Sequence, residues 1–569
     1  MKKILKSKKI ILCILFLLAF LIYAWTFDLP VVGDGLMHMN DNTDLSIKNM
    51  LKCFYTFDGL KKPINSYLLG FHRPVFDEII IEILKKAFDY NVYWIRFVTI
   101  LGYAFSAIIS YMIGEEIFQD KVKSIVLSVF MIFSIVRFPG VYDVGLSFSV
   151  WLVLFLLLSL LYTVKYEKYG GAPTFVLSIL FTGVTLYTKE SAMTLGVALA
   201  LWYDIKSYSK NKKISKTMIG YTLAQMVLLV TYMYTRMLKL GNIFEVTGGG
   251  INADHLSIIE CIKKSIGYFL ICFNIPNPIC FEAYMCPQLN FISLGFALVI
   301  LCAVLFSIYK LGVYVKEKNK KAVDLIVYIV CYLVLLLPVF KTTRNATYYG
   351  DILAIFAGLF LLTALGNGKK IYYWIIGITL CYVMVYAINI HDYVKPNSSY
   401  YLQCISNEAK TLRDELKIEK VDTKKILFTT DWEADINKHF KYNHMGDGSF
   451  YKFNIDVKKE TGILTKENIK DIKESTLIDY FKSEDGTYKC FLYDCINNRG
   501  NKVVQVQYDV DDNDSIMIGF YYENKAYYST IQTEYKKTWN QDNCIYLVVP
   551  EEVQVNIIGN GVSQTIIGD

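Results

Sequence analysis

The sequence predicts a polytopic α-helical membrane protein with a C-terminal extracytoplasmic region that combines an α/β unit with a β-sandwich. Hydrophobic residues make up 54% of the 569 positions and the mean hydropathy is +0.33, which is more apolar than an ordinary soluble domain. Beyond about residue 395 the chain becomes charged and alternating. Before that point, eleven apolar segments are long enough, or nearly so, to cross a hydrocarbon core of roughly 30 Å as helices: 9–26, 93–113, 122–138, 146–163, 173–188, 190–203, 217–237, 290–309, 323–340, 347–364 and 370–389.

The N-terminus "MKKILKSKKIILCILFLLAF" has the basic start and apolar run of either a signal peptide or a first membrane helix. No small-residue cleavage site follows the run, so we expect an uncleaved helix. Short cytoplasmic loops carry an excess of lysine and arginine. The even-numbered connections hold most of these residues, including "KSYSKNKKISK" at 206–216 and "YKLGVYVKEKNKK" at 309–321. Eleven spans then predict a cytoplasmic N-terminus and an extracytoplasmic C-terminal domain.

Three domains are expected: a transmembrane domain at 1–392 with outer loops at 27–92 and 238–289, an α/β region at 393–487, and a β-rich, sandwich-like domain at 488–569. The middle region alternates helical and strand patterns, such as "SNEAKTLRDELKIEK" and "KILFTTD". Short strands such as "SIMIGFYYE" dominate the last domain. "DVDDND" at 509–514 lacks the glycine and the distant glutamate of an EF-hand, so it predicts a turn. Four tyrosines of the last domain fit a glycan-binding face, a spacer or an assembly surface: Tyr521, Tyr522, Tyr527 and Tyr528.

The unexpected charges of the membrane half map to one face. The stretch "LYTKESAMTL" sets Lys189 and Glu190 side by side among apolar residues, where charge costs several kcal/mol unless it is paired or reaches the surface. Because the fifth helix runs outward and the sixth returns, both residues fall in a tight turn at the outer surface. The first outer loop adds Asp34 between two glycines. It then adds "LLGFHRPVFDEIIIEILKKAF", which predicts an amphipathic helix lying on the membrane. The other polar residues of this face are His38, His72, Arg73, Asp143, Lys341, Arg344, Tyr348, Tyr349 and Asp351.

Lys189 and the acidic residues of this set also have plain structural explanations. Lys189 and Glu190 would form a solvated ion pair in an interfacial turn. Asp34 sits between glycines that favour a turn, and Asp143 would equally be a turn residue.

The remaining members have structural alternatives of the same kind. Arg344 would anchor a helix end among lipid headgroups, and Tyr348 would belong to an aromatic belt. His38 and His72 have no third metal ligand at convincing spacing, so hydrogen bonding or solvation is favoured for both. The segment "SIIECIKKSIGYFLICF" has helical periodicity and predicts an interfacial helix that covers the acceptor. Two cysteine pairs, Cys280 with Cys286 and Cys490 with Cys495, are close enough for disulfides, but the connectivity stays open.

The arrangement resembles the GT-C superfamily of membrane glycosyltransferases, which includes protein O-mannosyltransferases and bacterial relatives that use polyprenyl-phosphate sugars. The matching motifs, in chain order, are the acidic residue of "VVGDGLMH", the step "FHRPVFD", the turn "LYTKESA" and the segment "TTRNATYYGDIL". The resemblance covers roughly residues 1–390. Many relatives carry a second acidic residue directly beside the first, whereas Asp34 has glycine neighbours, so dependence on a divalent metal stays open.

The resemblance implies transfer of a sugar from a polyprenyl-phosphate donor to an acceptor hydroxyl at the outer face of the plasma membrane, with inversion at the anomeric carbon. Asp34 would be the general base, since a carboxylate in hydrogen-bond reach removes the acceptor proton. Cations stabilise the departing phosphate, and a guanidinium binds it in bidentate fashion. The phosphate ligands would be Arg344 first, then Lys189, Arg73 and Lys341. Glu190 would orient Lys189 or Arg344, with further support from His38, His72, Asp143 and Tyr348.

Two other classes of protein remain as alternatives. A transporter or flippase of lipid-linked glycans would place polar residues at the membrane midplane and repeat broken helices in two halves. The helix interiors of this sequence are nearly free of charge and show no internal repeat. A non-catalytic envelope scaffold would explain the soluble region but not the outer-face charges. The expected partners are a lipid-linked donor and a glycan, protein or lipid acceptor in a bacterial plasma membrane, with no nucleic acid.

Overall fold

The computed structural model divides the chain into two compact units, Met1–Ser398 and Ser399–Asp569. Within the first unit it describes residues 7–28, 38, 46–57, 71–88, 92–241, 257–275, 291–340, 346–366 and 369–394. Within the second unit it describes residues 425–428, 460–463, 475–484, 488–494, 500–507, 515–532, 544–558 and 563–567.

The described part of the first unit is helical. Five short 3₁₀ turns and one π-helix, Pro74–Ile80, join or extend its α-helices. The 3₁₀ turns are Ala24–Asp28, Ile135–Arg137, Val144–Leu146, Glu190–Ala192 and Thr347–Gly350. The α-helices are α1 (Lys8–Leu21), α2 (Ile47–Lys52), α3 (Ile81–Ala87), α4 (Val92–Phe118), α5 (Lys121–Ile132), α6 (Phe138–Tyr142), α7 (Phe148–Tyr169), α8 (Ala172–Leu186), α9 (Leu195–Asn211), α10 (Lys216–Leu240), α11 (Ile258–Cys272), α12 (Phe291–Lys316), α13 (Lys320–Phe340), α14 (Ala354–Ala364) and α15 (Lys369–Val394).

Each of the eleven apolar segments overlaps one of these helices, but fewer helices qualify as membrane spans. Among the described residues, five helices are long and apolar enough to cross a membrane, and a sixth qualifies if a bent pair counts as one span. The bent pair is Lys121–Ile132 with Ile135–Tyr142, which meet at 44°. The third predicted segment, 122–138, is therefore broken rather than continuous. Eleven crossings, and the orientation drawn from them, stay predictions.

The helix ends gather into two sets. At one end of the unit, ion pairs join the start of α1 to the end of α4 (Lys8–Glu115, 2.5 Å), and the end of α7 to the ends of α4 and α9 (Lys168–Glu116 and Lys210–Glu167). The described residues of the connections 22–91, 133–147, 187–194 and 341–353 belong to the other end. The candidate site residues that the structure describes fall in or beside these connections.

Three helices are joined by an uncharged hydrogen-bond network. Thr163 of α7, Ser178 of α8 and Tyr221 of α10 close a triangle of hydroxyl contacts at 2.7–2.8 Å. Ser159 bonds Thr182 at 2.6 Å. Every one of these side chains is fully buried, so each polar group is satisfied inside the helix bundle rather than by water.

The predicted amphipathic segment at 68–88 is helical from Pro74 to Ala87, but its polar side faces inward. Glu82 and Lys85 are each 1% exposed and pair at 2.7 Å, while Glu78 pairs with Lys239 of α10. The expectation of a helix with a solvated polar face is therefore wrong for this segment. Its charges are paired within the protein instead.

The second unit is built from two sheets. The larger sheet has the strand order β2–β1–β3–β7–β6–β9, with β4 on the other edge of β3, and the smaller has the order β10–β5–β8. Buried residues from both sheets form one core, as in a sandwich. The strands are β1 (Lys425–Phe428), β2 (Glu460–Ile463), β3 (Ser475–Ser483), β4 (Tyr488–Asp494), β5 (Asn501–Gln507), β6 (Ser515–Tyr522), β7 (Lys525–Gln532), β8 (Cys544–Pro550), β9 (Asn556–Ile558) and β10 (Ser563–Ile567).

The larger sheet runs across the predicted boundary between 487 and 488. β1 pairs in parallel with β2 and β3, as in an α/β unit, while β3 pairs with β4 in antiparallel fashion from Thr476–Asp494 to Lys482–Tyr488. The predicted strand in "KILFTTD" is present as β1. The predicted helix at 406–420, the predicted turn at 509–514 and the Cys280–Cys286 pair lie outside the described residues, as does Cys495.

Candidate active site

The "KE" pair lies in a sharp break between α8 and α9. The helix ends at Leu186, Lys189 is extended (φ −162°, ψ 140°), and the 3₁₀ turn Glu190–Ala192 leads into α9. Two hydrogen bonds fix this turn from outside. Val75 N–H donates to the carbonyl of Tyr187 at 3.1 Å, and the Thr194 hydroxyl donates to the carbonyl of Val334 in α13 at 2.7 Å. The turn is thus held on both sides by distant parts of the chain.

Glu190 is the centre of a charged cluster. Its carboxylate accepts from Arg73 Nε at 2.7 Å and from the backbone N–H of His72 at 2.9 Å, and Arg236 Nη1 lies 3.9 Å away. Burial alone would raise the pKa of Glu190, but Arg73, Arg236 and these hydrogen bonds outweigh burial and lower it to about 2. Glu190 therefore carries its charge at neutral pH and holds Arg73. The predicted "HRP" step and "KE" turn are in direct contact.

Lys189 is buried beneath aromatic rings rather than exposed in an interfacial turn. Its side chain is only 2% exposed. The ammonium lies 4.2 Å from the ring centre of Phe148, 4.0 Å from that of Tyr348 and 4.9 Å from that of Tyr349. Ring faces attract a cation, and the attraction is larger where water is excluded. The solvated ion pair considered for Lys189 and Glu190 is not what the structure contains.

Phe148, in the first turn of α7, contacts both buried cations. Arg73 lies 4.9 Å from its ring centre and also stacks on Phe71 at 4.0 Å, while Lys189 lies 4.2 Å from the Phe148 ring. Two of the four predicted phosphate ligands therefore share one ring. Tyr348, predicted as a supporting residue, belongs to the same cluster.

The two histidines pack as neutral rings. Burial, followed by the charges of Arg73 and Lys85, lowers the pKa of His38 to about 3; its Nδ1 lies 3.9 Å from Asp77. Burial, followed by Lys239, lowers the pKa of His72 to about 3, and its ring lies between those of Tyr187 and Tyr232. Among the described residues no group of three or more His, Cys, Asp or Glu side chains is arranged to hold a metal.

Two buried carboxyl groups beside this cluster, Asp77 and Asp351, had no role assigned from the sequence, although Asp351 was counted among the polar residues of the outer face. Burial raises the pKa of Asp77 to about 8, reinforced by Glu190 and Glu78 and opposed by Arg73 and Lys239. Burial raises the pKa of Asp351 to about 7, opposed by Ser149, Lys189 and Arg137. Asp351 had a visible signal in the sequence, since it directly follows "TYYG" and precedes an apolar helix. Asp77 was hidden in a segment whose polar face was expected to meet water.

Three predicted residues lie outside the described part of the chain: Asp34, Lys341 and Arg344. Asp143 is described, and its carboxylate accepts from the N–H of Gly145 at 2.8 Å, which is the geometry of a turn-capping residue. Of the predicted set, the structure therefore brings together Arg73, His72, Lys189, Glu190 and Tyr348, with His38 reached through Asp77.

Comparison with known proteins gives similarity to solved structures only. No family model and no curated protein matches the sequence. The apo crystal structure of the Archaeoglobus fulgidus oligosaccharyltransferase has a TM-score of 0.40 and 9% identity, covering 98% of this chain and 97% of that one. The structure of that enzyme with Zn and sulfate has a TM-score of 0.39 and 10% identity (84% and 72%). Archaeal oligosaccharyltransferase AglB from the same organism, with an inhibitory peptide and a dolichol-phosphate, has a TM-score of 0.39 and 11% identity (84% and 73%). Similarity at this level assigns the chain to no family.

Proposed function

We propose that the chain is a GT-C-type glycosyltransferase of a bacterial plasma membrane. In this proposal it transfers a sugar from a polyprenyl-phosphate donor to an acceptor hydroxyl at the outer face. The observation that carries the proposal is the contact between Glu190 and Arg73, 117 positions apart in sequence, with Lys189 on the same Phe148 ring. Two motifs that suggested the reaction class from sequence thus form one cluster at one end of a helix bundle.

The cluster has the chemical groups that departure of a phosphate requires. As the anomeric carbon–phosphate oxygen bond breaks, its electron pair leaves with the lipid phosphate, and fixed cations stabilise that developing charge. Lys189 and Arg73 are preorganised for this role because rings and a carboxylate hold them in place. In the proposal, Lys341 and Arg344 add further cations from the connection before Tyr348.

The acceptor hydroxyl attacks the anomeric carbon from the opposite side and gives its proton to a carboxylate, which inverts the centre. Glu190 is a poor base for this step, since its pKa of about 2 and its pairing with Arg73 keep it ionised and occupied. Asp77, with a pKa of about 8, is mostly protonated at neutral pH and cannot accept the proton. Asp143 is engaged by Gly145. As the resemblance to the GT-C superfamily implies, we assign the base to Asp34, four positions before His38 in the chain.

The decisive experiment follows release of polyprenyl phosphate from a panel of polyprenyl-phosphate sugars by purified protein in detergent. Wild type is compared with Asp34→Asn, which keeps the size of the side chain but removes the base. We expect release by wild type and a loss of roughly 10²–10⁴-fold in the variant, the usual contribution of a positioned base. Asp204→Asn is the matched control, because Asp204 bonds Thr222 near the opposite end of the bundle.

Each outcome has a distinct meaning. Release that survives Asp34→Asn keeps the enzyme but moves the base, and Asp351 is then the next residue to change. A loss in Asp204→Asn as large as in Asp34→Asn would show that the effect is structural. No release with any donor, even after cell-envelope acceptors are added, would overturn the proposal in favour of a transporter or scaffold.

A further inference from the structure

Helix α11 exposes an apolar face. Ser257 and Glu260 fix its start, since Ser257 Oγ accepts from the N–H of Glu260 at 3.3 Å and Glu260 accepts from the N–H of Ser257 at 2.7 Å. Four isoleucines are 52–80% exposed: Ile258, Ile259, Ile262 and Ile266. At about 3.6 residues per turn, these four fall within a sector of about 100°.

The opposite side of α11 is the buried one and contains a charge. Lys264 is 4% exposed, in company with Gly267, Tyr268, Ile271 and Cys272. A surface helix of a soluble domain places its polar side outward, so this polarity is reversed. Contiguous exposed apolar side chains mark a surface that meets another apolar phase or partner.

The buried side of α11 is fastened to the candidate active site. The Tyr268 hydroxyl donates to the carbonyl of Ala346 at 3.1 Å, next to the 3₁₀ turn that carries Tyr348 and Tyr349. Just beyond the helix, Asn274 accepts from Ile135 N–H at 2.9 Å and donates to the carbonyl of Phe133 at 3.0 Å. The helix therefore lies at the same end of the unit as Lys189 and Glu190.

The isoleucine sector also adjoins a helix that is long and apolar enough to span a membrane. The ring of Phe269 packs edge-on against Tyr332 of α13 at 5.8 Å. α13 is one of the five helices that qualify as membrane spans, and its Leu333 and Leu337 are 48% and 53% exposed. Lys263, at the edge of the isoleucine sector, is exposed and has the charge that phospholipid phosphates attract.

We propose that α11 lies in the membrane interface at the site end of the bundle, with Ile258, Ile259, Ile262 and Ile266 inserted among phospholipid acyl chains. The occupant of this face is the bilayer, because the face continues the exposed apolar surface of α13 and is bordered by a cation. This inference goes beyond the proposed function, since it holds whether or not the chain transfers a sugar.

The test introduces an environment-sensitive fluorescent amino acid at Ile262 by nonsense suppression in the full-length chain, in phosphatidylcholine nanodiscs with or without brominated acyl chains. The matched control is Ile558 of β9, which is 68% exposed in the other compact unit. An interfacial helix buries its apolar side roughly 5–10 Å into the headgroup and acyl boundary, so we expect at least about threefold stronger quenching at 262 than at 558. If the Ile262 variant does not elute as folded protein, Ile258 replaces it.

Equal quenching at the two positions would overturn the inference. So would emission at position 262 that shifts only when cell-envelope acceptors are added, since the face would then bind acceptor instead of lipid. Neither the quenching nor the emission measurement requires a sugar donor or catalytic turnover. A failure of sugar transfer and a failure of lipid insertion are therefore separate results.

Discussion

The hydroxyl network between α7, α8 and α10 and the charged cluster around Lys189 and Glu190 are both buried, yet they solve the problem of burial differently. Thr163, Ser178 and Tyr221 are neutral, and each serves the others as donor or acceptor. The charged cluster depends on an ion pair and on aromatic rings. It also lies at helix ends and irregular turns, whereas the network lies between regular helices.

The difference shows where this protein carries the larger electrostatic cost. A hydroxyl group removed from water needs one or two partners, while an ionised group needs a counter-charge and further hydrogen bonds. Helix interiors supply the first requirement without disturbing the backbone. The second requirement is met only where distant segments such as His72–Arg73 converge on one carboxylate. Four changes test whether this contrast is one of function or only of packing.

The largest effect is expected from Glu190→Gln. The change removes the carboxylate that lies between Arg73 and Arg236, and breaking a buried ion pair costs roughly 3–5 kcal/mol. The free energy of unfolding in detergent should fall by that amount. Glu523→Gln is the control, because the Glu523–Lys489 pair is exposed and should be worth less than about 1 kcal/mol. If the two variants lose the same unfolding free energy, Glu190 contributes no more to stability than a carboxylate in an exposed ion pair.

Lys189→Met should affect activity more than stability. Methionine has a similar length and can pack against the same three rings, and the change removes the cost of burying a charge. Loss of one preorganised cation should lower kcat/KM for polyprenyl phosphate release by roughly 10²–10³-fold. Lys206→Met, which breaks the pair with Asp324 at the opposite end, should leave kcat/KM unchanged. If Lys189→Met retains full activity, Lys189 and its surrounding rings contribute to packing and not to phosphate release.

The pH dependence of stability should separate the carboxyl groups from the histidines. The folded-state pKa of Asp77, about 8, lies above the unfolded value, so its contribution is fully present below about pH 4 and is lost as pH rises to about 8. Asp351 acts in the same direction up to about pH 7. His38 and His72, with folded pKa values of about 3, act in the opposite direction, but only below about pH 6.5.

Between pH 6.5 and 8 the unfolding free energy of wild type should therefore fall as pH rises. Asp77→Asn should remove most of this fall, and the measurement is denaturant unfolding at a series of pH values. A wild-type profile that is flat over this window would mean that Asp77 is ionised in the folded protein.

The smallest effect is expected from Tyr221→Phe in the hydroxyl network. Thr163 and Ser178 remain bonded to each other at 2.8 Å after the phenol oxygen is removed, but the buried Gln225 amide loses the bond that it donates to the phenol at 3.0 Å. Hydrogen bonds between membrane helices contribute about 0.6 kcal/mol on average, and a buried donor that loses its acceptor costs more, so the unfolding free energy should fall by about 1–2 kcal/mol. Activity should be unaffected. A large loss of activity would show that the network has a functional role, which its position between regular helices does not predict.

Hydropathy predicted where the apolar helices lie and the break at Lys189–Glu190, because apolar segment length and a charged pair at a turn are local properties. The turn at Lys189–Glu190 and the helix from Ile258 are examples. Hydropathy did not predict the break within 122–138. Pairing is not local. Lys239, the partner of Glu78, comes from a helix more than 150 positions away, so the polar face of the 74–87 segment was assigned to water. The burial of Asp77 was missed for the same reason, because Glu190 and Lys239, which act on its carboxyl group, come from distant parts of the chain.

The π-helix Pro74–Ile80 makes the number of residues in this segment matter as well as their identity. A π-helical turn contains more residues than an α-helical one, and it passes directly into α3. Deleting one residue from the turn would rotate everything on one side of it by about 100° relative to the other. Arg73 could then no longer reach Glu190 while the Glu82–Lys85 pair keeps its present buried position. The segment is therefore a spacer of fixed length, for which insertions and deletions are more damaging than most substitutions.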